Sequence, residues 1–214
     1  MQNKLFLDIE TLPADDASRD ALQYLYQRRQ EKRQKKNGEI NTNGHEFCVE
    51  DFEQFLLGTS FDGSFGRIIC ICYAVNDEPV QALSGNEPEM LIKFWELART
   101  TGQFIGHNVM DFDLRFIYQR SVINNIVPSV DLNFARYRNF PIFDTMKEWT
   151  KWGQNNIGLE HIALALGLPT PKEGIDGSEV YNFYKAGKEK EIIEYCKRDV
   201  ETTRAVYKRM TFQK

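Results

Sequence analysis

The sequence predicts an α/β fold, a mixed sheet of five strands flanked by helices, antiparallel in its front portion. Three observations predict it. Lys4–Thr11 opens on Leu5, Phe6, Leu7 and Ile9 with no turn residue among them, as a buried strand does. Residues 68–75 are almost continuously apolar, the pattern of a strand covered on both faces. Strands come first and helical patterns are interleaved afterwards, which is the order of an α/β sheet. At 214 residues the chain is expected to form one domain over 1–214, long enough to bury a core.

The elements follow in order. Pro13 ends the first strand. Ser18 is placed to cap a helix over 19–36, with Leu22, Leu25 and Tyr26 as a short apolar stripe and Asn37-Gly38 as its stop. Residues 41–44 read as a flexible connection. Phe52, Phe55, Leu56 and Leu57 make a second short helix closed by Gly58. The stretch 15–65 is therefore a helical insertion between the first and second strands. Arg67–Val75 is the second strand, Asn76–Pro79 a hairpin turn, and Val80–Leu83 a short third strand. A helix over 87–101 carries Met90, Leu91, Phe94, Trp95 and Ala98 at core spacing. Gln103–Gly106 is the fourth strand, 111–124 a helix, and Ile142-Phe143 a fifth strand stopping at Asp144. Helices are predicted over 159–166, 178–186 and 188–210, the last with Ile192, Ile193, Cys196, Val200, Thr203 and Tyr207 inward.

Net charge is −4, which argues against a passive nucleic-acid coat. Its distribution says more. Residues 19–36 carry seven basic side chains (Arg19, Arg28, Arg29, Lys32, Arg33, Lys35, Lys36) against Asp20 and Glu31, a net +5, leaving −9 for the remainder. This basic insertion is either a solvated helix face or a contact to phosphates. No apolar run approaches the length of a membrane span, so no membrane contact is expected. The first strand begins without a signal-peptide pattern, so a cytoplasmic protein is the expectation. Cys70 and Cys72 alternate along a predicted strand, as reduced core thiols would. His45 and Cys48 have loose zinc spacing without a second pair.

The chemistry centres on acids. Side chains alternate along a strand, so Asp8 and Glu10 project from one face a few ångströms apart. Two carboxylates that close, in an apolar strand, call for neutralisation, most simply by an oxygen-ligated divalent cation such as Mg²⁺ or Mn²⁺; the plain alternative is a strand end in water. Two further acids can converge on them. Asp113 lies in a stripe with Phe112, Phe116 and Ile117, an expensive place for a lone charge, whereas Asp111 has the duller task of a helix cap. Asp199 follows Tyr195 at i, i+4 on the last helix, hence on the same face. Asn108, after the strand-ending Gly106, is suited to bond a phosphate or sugar, and His107 to packing or hydrogen bonding. Asp144 is well placed as a helix cap, while Asp131, Asp176 and Glu160 show no partner pattern.

Taken together, Asp8-Ile9-Glu10-Thr11, then Asn108 with Phe112-Asp113, then Tyr195 with Asp199-Val200 resemble the three motifs of the DEDD superfamily of 3′–5′ exonucleases, in its DEDDy variant. Glu194 stands where the histidine variant would show His. The chain is most similar to stand-alone relatives of the proofreading domain of family B DNA polymerases, over most of 1–12 and 66–210. The resemblance implies an RNase H-like fold and two-metal-ion phosphodiester hydrolysis. It further implies that Asp8, Glu10, Asp113 and Asp199 hold two Mg²⁺ or Mn²⁺ ions and Tyr195 orients the attacking water. Thr11 and Leu12 would meet the terminal nucleotide, and Asn108 would steady the strand. The implied substrate is a single-stranded 3′ end, with DNA favoured. RNA 3′-end trimming by the same core and a non-catalytic nucleic-acid-binding domain remain the alternatives. An Asp-x-Asp phosphatase would require Asp in place of Glu10. No polymerase or helicase pattern is seen, so proofreading would call for a separate replication or repair partner. Trp149 and Trp152 are expected to pack rather than to stack on bases.

Overall fold

The structure, a computed structural model, describes residues 3–38, 51–170 and 177–213. The connection at 41–44, His45, Cys48 and Asp176 lie outside the described residues. A single five-stranded sheet runs β3-β2-β1-β4-β5, from β1 (Asn3–Leu12), β2 (Arg67–Val75), β3 (Gln81–Ser84), β4 (Thr101–Gly106) and β5 (Ile142–Asp144). β1, β2 and β3 pair antiparallel, and β1, β4 and β5 pair parallel, so the sheet is mixed as expected.

Alternation along β1 divides the molecule into two cores. Leu5, Leu7 and Ile9 face one side and pack with Phe94 and Trp95 of α3 (Glu87–Ala98) and Ile117 of α4 (Asp113–Ile123). Phe6 faces the other side with Cys70, Cys72 and Ile105, under Ile192, Cys196, Val200 and Tyr207 of α8 (Glu189–Met210). Asp8 and Glu10 share the face of Phe6, so the sheet presents both acids to α8. Between β1 and β2 the chain forms α1 (Arg19–Gly38) and α2 (Phe52–Gly58). α1 rests on α2 through Tyr26, whose ring centroid lies 5.3 Å from Phe52 and 5.5 Å from Phe55, and through the Arg19–Glu53 ion pair. The layers are completed by α5 (Thr145–Thr150), α6 (Leu159–Ala165) and α7 (Val180–Lys185).

Several boundaries differ from the sequence expectation. Ser18 is not a helix cap, because Asp16–Ser18 form a 3₁₀ turn leading directly into α1. α3 ends at Ala98, and β4 begins two residues before the expected Gln103. α4 begins at Asp113 rather than at 111, because Asn108 takes a left-handed conformation (φ 59°) and its carbonyl accepts the Asp111 and Phe112 N–H groups in a tight turn. Trp149 remains about one-third exposed, and Trp152 packs against Tyr137 at 5.4 Å.

One largely buried ion pair ties three elements together. Glu87 at the start of α3 accepts from Arg120 of α4 at 2.8 Å and 3.0 Å and from the Ile68 N–H of β2 at 2.8 Å. Removing one member of a buried pair leaves the other charge uncompensated. Glu87→Ala is expected to destabilise the protein by about 3–5 kcal/mol. Urea unfolding checks this, and a loss below about 1 kcal/mol would contradict the role given to the pair.

Candidate active site

The candidate site is assembled where β1 outruns its parallel neighbour. Pairing with β4 runs only from Asn3 to Phe6, since the chain turns away after Gly106. Gly106 permits that close approach: a Cβ there would lie 2.6 Å from Val109 Cβ and 3.0 Å from the Leu7 carbonyl oxygen. Beyond Phe6 the N–H groups on this edge of β1 lack a strand partner. Asp113, the first residue of α4, fills the gap by accepting the Ile9 N–H at 3.0 Å. This bond plants Asp113 between Asp8 and Glu10 in sequence register. On the other edge, β1 pairs Asp8 with Cys72 and Glu10 with Cys70. The register then slips, pairing Thr11 with Ile68, so a bulge follows Glu10 directly.

α8 covers this face. Cys196 lies 3.4 Å from the Asp8 carbonyl oxygen and 3.3 Å from Asp8 Oδ2, and Tyr195 and Asp199 are both buried. Asp8 is half-buried, whereas Glu10, Asp113 and Asp199 are at most 9% exposed. Burial pushes the Asp8 pKa well above the carboxylate range, and the charges of Asp113, Asp199 and Glu10 push it further. Glu10 is raised in the same way, by burial and then by Cys70, Asp199 and Asp113. Asp113 is pushed up to about 7 by burial, with Asp144 and Asp199 adding to it, although its own N–H and that of Ile9 pull it down. Tyr195 is raised above the ordinary phenol value by burial, then by Asp199, Glu10 and Asp8, so it stays protonated and donates to Asp199. The structure therefore brings Asp8, Glu10, Asp113, Tyr195 and Asp199 together. Among the described residues, the groups that act most strongly on Asp8 and Glu10 include no lysine or arginine.

Buried oxygens that repel one another, with no cation among the described groups acting most strongly on them, fit an oxygen-preferring divalent cation. Among the described residues, potential ligand atoms of Asp8, Glu10 and Cys196 all lie within 4.8 Å of one another. Asp113 and Asp199 stand outside that triplet while still acting on it electrostatically.

The remaining expected residues are placed as follows. Leu12 is 3% exposed and packed in the core under α8, and the Thr11 hydroxyl donates to the Ser60 carbonyl at 2.6 Å. Neither side chain opens onto solvent in this conformation. The Asn108 N–H donates to Asp144 Oδ1 at 3.0 Å, and its side-chain amide has no hydrogen-bond partner among the described residues. His107 is a structural residue, as expected. Burial lowers its pKa to about 4, so the neutral ring donates from Nε2 to the Ile157 carbonyl at 2.9 Å, and Nδ1 lies 3.0 Å from the Thr145 hydroxyl. Asp111 faces solvent and pairs with Lys147 at 2.7 Å.

Two contributors are missed by the sequence reading. Asp144 caps α5 as expected, but it also accepts from Asn108 and Met110, so one carboxylate locks the turn that delivers Asp113. Nothing in the sequence joins residues more than 30 positions apart in this way. Cys196 lies against Asp8, a position hinted at by its place within the Tyr195–Asp199 motif.

These shifts fix a pH dependence. An acid whose folded-state pKa is raised holds its proton more tightly folded than unfolded, so its stabilising effect is present at low pH and is lost as pH rises through the folded value. For Asp113 that window runs from about 4, the unfolded value, to about 7. In chelator, the melting-temperature difference between Asp113→Asn and the parent is expected to grow in favour of the variant between about pH 5 and about pH 8. Scanning calorimetry at both pH values checks this. A difference independent of pH, or one growing in favour of the parent, would contradict it.

Residues 62–214 match the family described as a predicted 3′–5′ exonuclease related to the exonuclease domain of PolB. Asp113, Tyr195 and Asp199 fall within the match, and Asp8 and Glu10 precede it. The fold is similar to that of the family B DNA polymerase from the hyperthermophilic archaeon Pyrobaculum calidifontis, with a TM-score of 0.64 and 12% identity. That likeness covers 99% of this chain and 25% of the polymerase chain, and it extends the shared fold to the strand carrying Asp8 and Glu10. No curated protein matches the chain. With the family match spanning well over half of its length, the chain belongs to the predicted 3′–5′ exonucleases related to the PolB exonuclease domain.

Proposed function

We propose that the protein removes nucleotides from the 3′ end of single-stranded nucleic acid, with DNA favoured, by hydrolysis that depends on two Mg²⁺ or Mn²⁺ ions. The observation carrying this reading is the convergence of Asp8, Glu10, Asp113 and Asp199, from three separate elements, in one buried cluster beside Tyr195. Membership of the exonuclease family supports the direction of attack, and likeness to a DNA polymerase supports DNA.

Asp8, Glu10 and Asp199 would hold one cation, Asp8 would also reach the second, and Asp113 would act largely through bound water. When bound, the cations supply positive charge that offsets the phosphate and a water acidified enough to attack it. The chain's own groups do the rest. Tyr195, held protonated, is a hydrogen-bond donor that orients water and is not the proton acceptor. Asp113 is fixed by the Ile9 N–H, so its free oxygen keeps one direction. The Asn108 amide, at the C-terminal edge of β4, is available to a phosphate or sugar. Thr11 and Leu12 would approach the terminal nucleotide through the main chain, since their side chains are engaged.

The decisive experiment incubates 5′-labelled single-stranded DNA and RNA with the protein and Mg²⁺ or Mn²⁺, beside Asp8→Ala. A ladder shortening from the 3′ end is expected, faster on DNA and absent in the variant. Internal cuts, faster loss of RNA, or an equally active variant would each overturn the corresponding part of the proposal.

The basic face of α1 is proposed to engage phosphates outside the cluster. Arg28, Arg29 and Lys32 are exposed along it, and Arg28, Arg29, Lys32 and Arg33 line one depression. Replacing these four with Gln is expected to raise the substrate KM and to reduce the salt slope by about one for each phosphate that is no longer neutralised. Unchanged KM and slope would remove the arm from substrate binding.

A further inference from the structure

Beside the acids lie three sulfurs. Cys70 and Cys72 alternate along β2, so both face α8, and Cys196 enters from α8 between them and Asp8. All three are buried free thiols, and their Sγ atoms lie within 4.8 Å of one another. The strand register puts Cys72 opposite Asp8 and Cys70 opposite Glu10, so sulfurs and carboxylates occupy adjoining corners of one patch.

We propose that Cys70, Cys72 and Cys196 form a second cation site, for one thiophilic divalent ion of the zinc and cadmium type, with Asp8 as its oxygen ligand. Sulfurs at most 4.8 Å apart leave a point no more than about 2.8 Å from all three (4.8 Å divided by √3). A Zn–S bond is about 2.3 Å, so a contraction of about half an ångström completes the cage. Asp8 Oδ2 lies 3.3 Å from Cys196 Sγ but outside the group formed by the three sulfurs, so it would have to swing toward Cys70 and Cys72 to supply the fourth ligand of a tetrahedron. Three thiolates and one carboxylate select a soft or borderline ion, whereas Mg²⁺ prefers an all-oxygen shell. The two sites thus differ in chemistry and share one ligand. Asp8 is the half-buried member, so the path from solvent runs past the acids. On binding, each thiol releases its proton to solvent, and three S–H bonds are replaced by three sulfur–metal bonds. One consequence rests on the exonuclease reading above: an ion in the sulfur cage takes Asp8 from the carboxylate site, so zinc inhibits turnover supported by magnesium.

The test titrates the reduced full chain, kept in a phosphine reductant with excess Mg²⁺, with cadmium chloride and follows the ultraviolet thiolate-to-cadmium charge-transfer band. One ion per chain is expected, with a cadmium NMR shift in the range of three sulfur ligands. The NMR measurement uses the parent protein and so does not depend on a variant folding. Cys48→Ser should leave the band intact. Cys72→Ser, checked for folding by circular dichroism, should weaken binding by more than about 10–100-fold, the loss reached when even an outer partner of a metal ligand is removed. No band, a band abolished by Cys48→Ser, or a shift reporting fewer than three sulfurs would overturn the site. Exonuclease assays form a separate arm. Equal zinc inhibition of the parent and Cys72→Ser would overturn the sharing of Asp8. A cadmium site in a protein without nuclease activity would leave the sulfur cage standing and remove the exonuclease reading instead.

Discussion

Mutual repulsion among Asp8, Glu10, Asp113 and Asp199 is the constraint around which the rest of the molecule is arranged. Burial raises the pKa of the first three, and each further carboxylate raises it more. A cluster of this kind tends to separate or to protonate. The fold prevents separation by taking each acid from an element anchored elsewhere. Asp8 and Glu10 lie on the central strand, which is paired to β2 at both positions and to β4 up to Phe6. Asp113 is fastened to that strand by a main-chain hydrogen bond, and Asp199 belongs to a 22-residue helix whose apolar face runs from Ile192 to Tyr207. The apolar core of α8 thereby stabilises what the acids alone would push apart.

Support for the cluster comes from groups with no chemistry of their own. Asp144 gathers four N–H donors from the turn after β4 and from the start of α5. That gathering holds Asn108 left-handed and sets where α4 begins, which in turn decides that Asp113, and not Asp111, reaches β1. Gly106 serves the same end, because any side chain there would collide with Val109 and the Leu7 carbonyl. Glu87 and Arg120 then hold α3 and α4 against β2, so the helix carrying Asp113 cannot drift. Site and scaffold are coupled through hydrogen bonds to carboxylates at several points.

How much of this was legible in the sequence depends on the range of the interaction. Asp8 and Glu10 were legible as a pair because a strand fixes their relation locally, and Tyr195 and Asp199 because a helix does. Asp113 was legible through its cost: a charge inside a Phe112–Phe116–Ile117 stripe needed a reason. The sheet was legible through its nearly unbroken apolar strands, and its mixed pairing through the hairpin at Asn76–Pro79. The four-way role of Asp144 was not legible, nor was the link from Glu87 to Ile68 and Arg120, because both join residues through space with no spacing rule between them. The start of α4 was misjudged because an Asn at positive φ inserts a turn that periodicity does not register. Leu12 was assigned a nucleotide-facing role by motif alone, and its side chain packs under α8, on the face that strand alternation also gives to Phe6, Asp8 and Glu10.

The thiols follow from the same geometry. A strand opposite Asp8 and Glu10 must place small side chains on the shared face, since α8 lies close enough for Cys196 to touch the Asp8 carbonyl. Alanine or serine would also fit at 70 and 72. Alanine would leave the acids on an inert apolar floor, and serine would add buried hydroxyls needing partners. Cysteine is small, tolerates burial, and offers a weak donor, which Cys72 directs to the Ile193 carbonyl and Cys196 to Asp8 Oδ2. What makes it acceptable beside four acids, a polarizable sulfur with an exchangeable proton, is also what makes three together a ligand set. A set of sulfurs beside a set of oxygens would give hard and soft cations separate homes joined at Asp8, so the identity of the bound ion would decide which way that carboxylate turns.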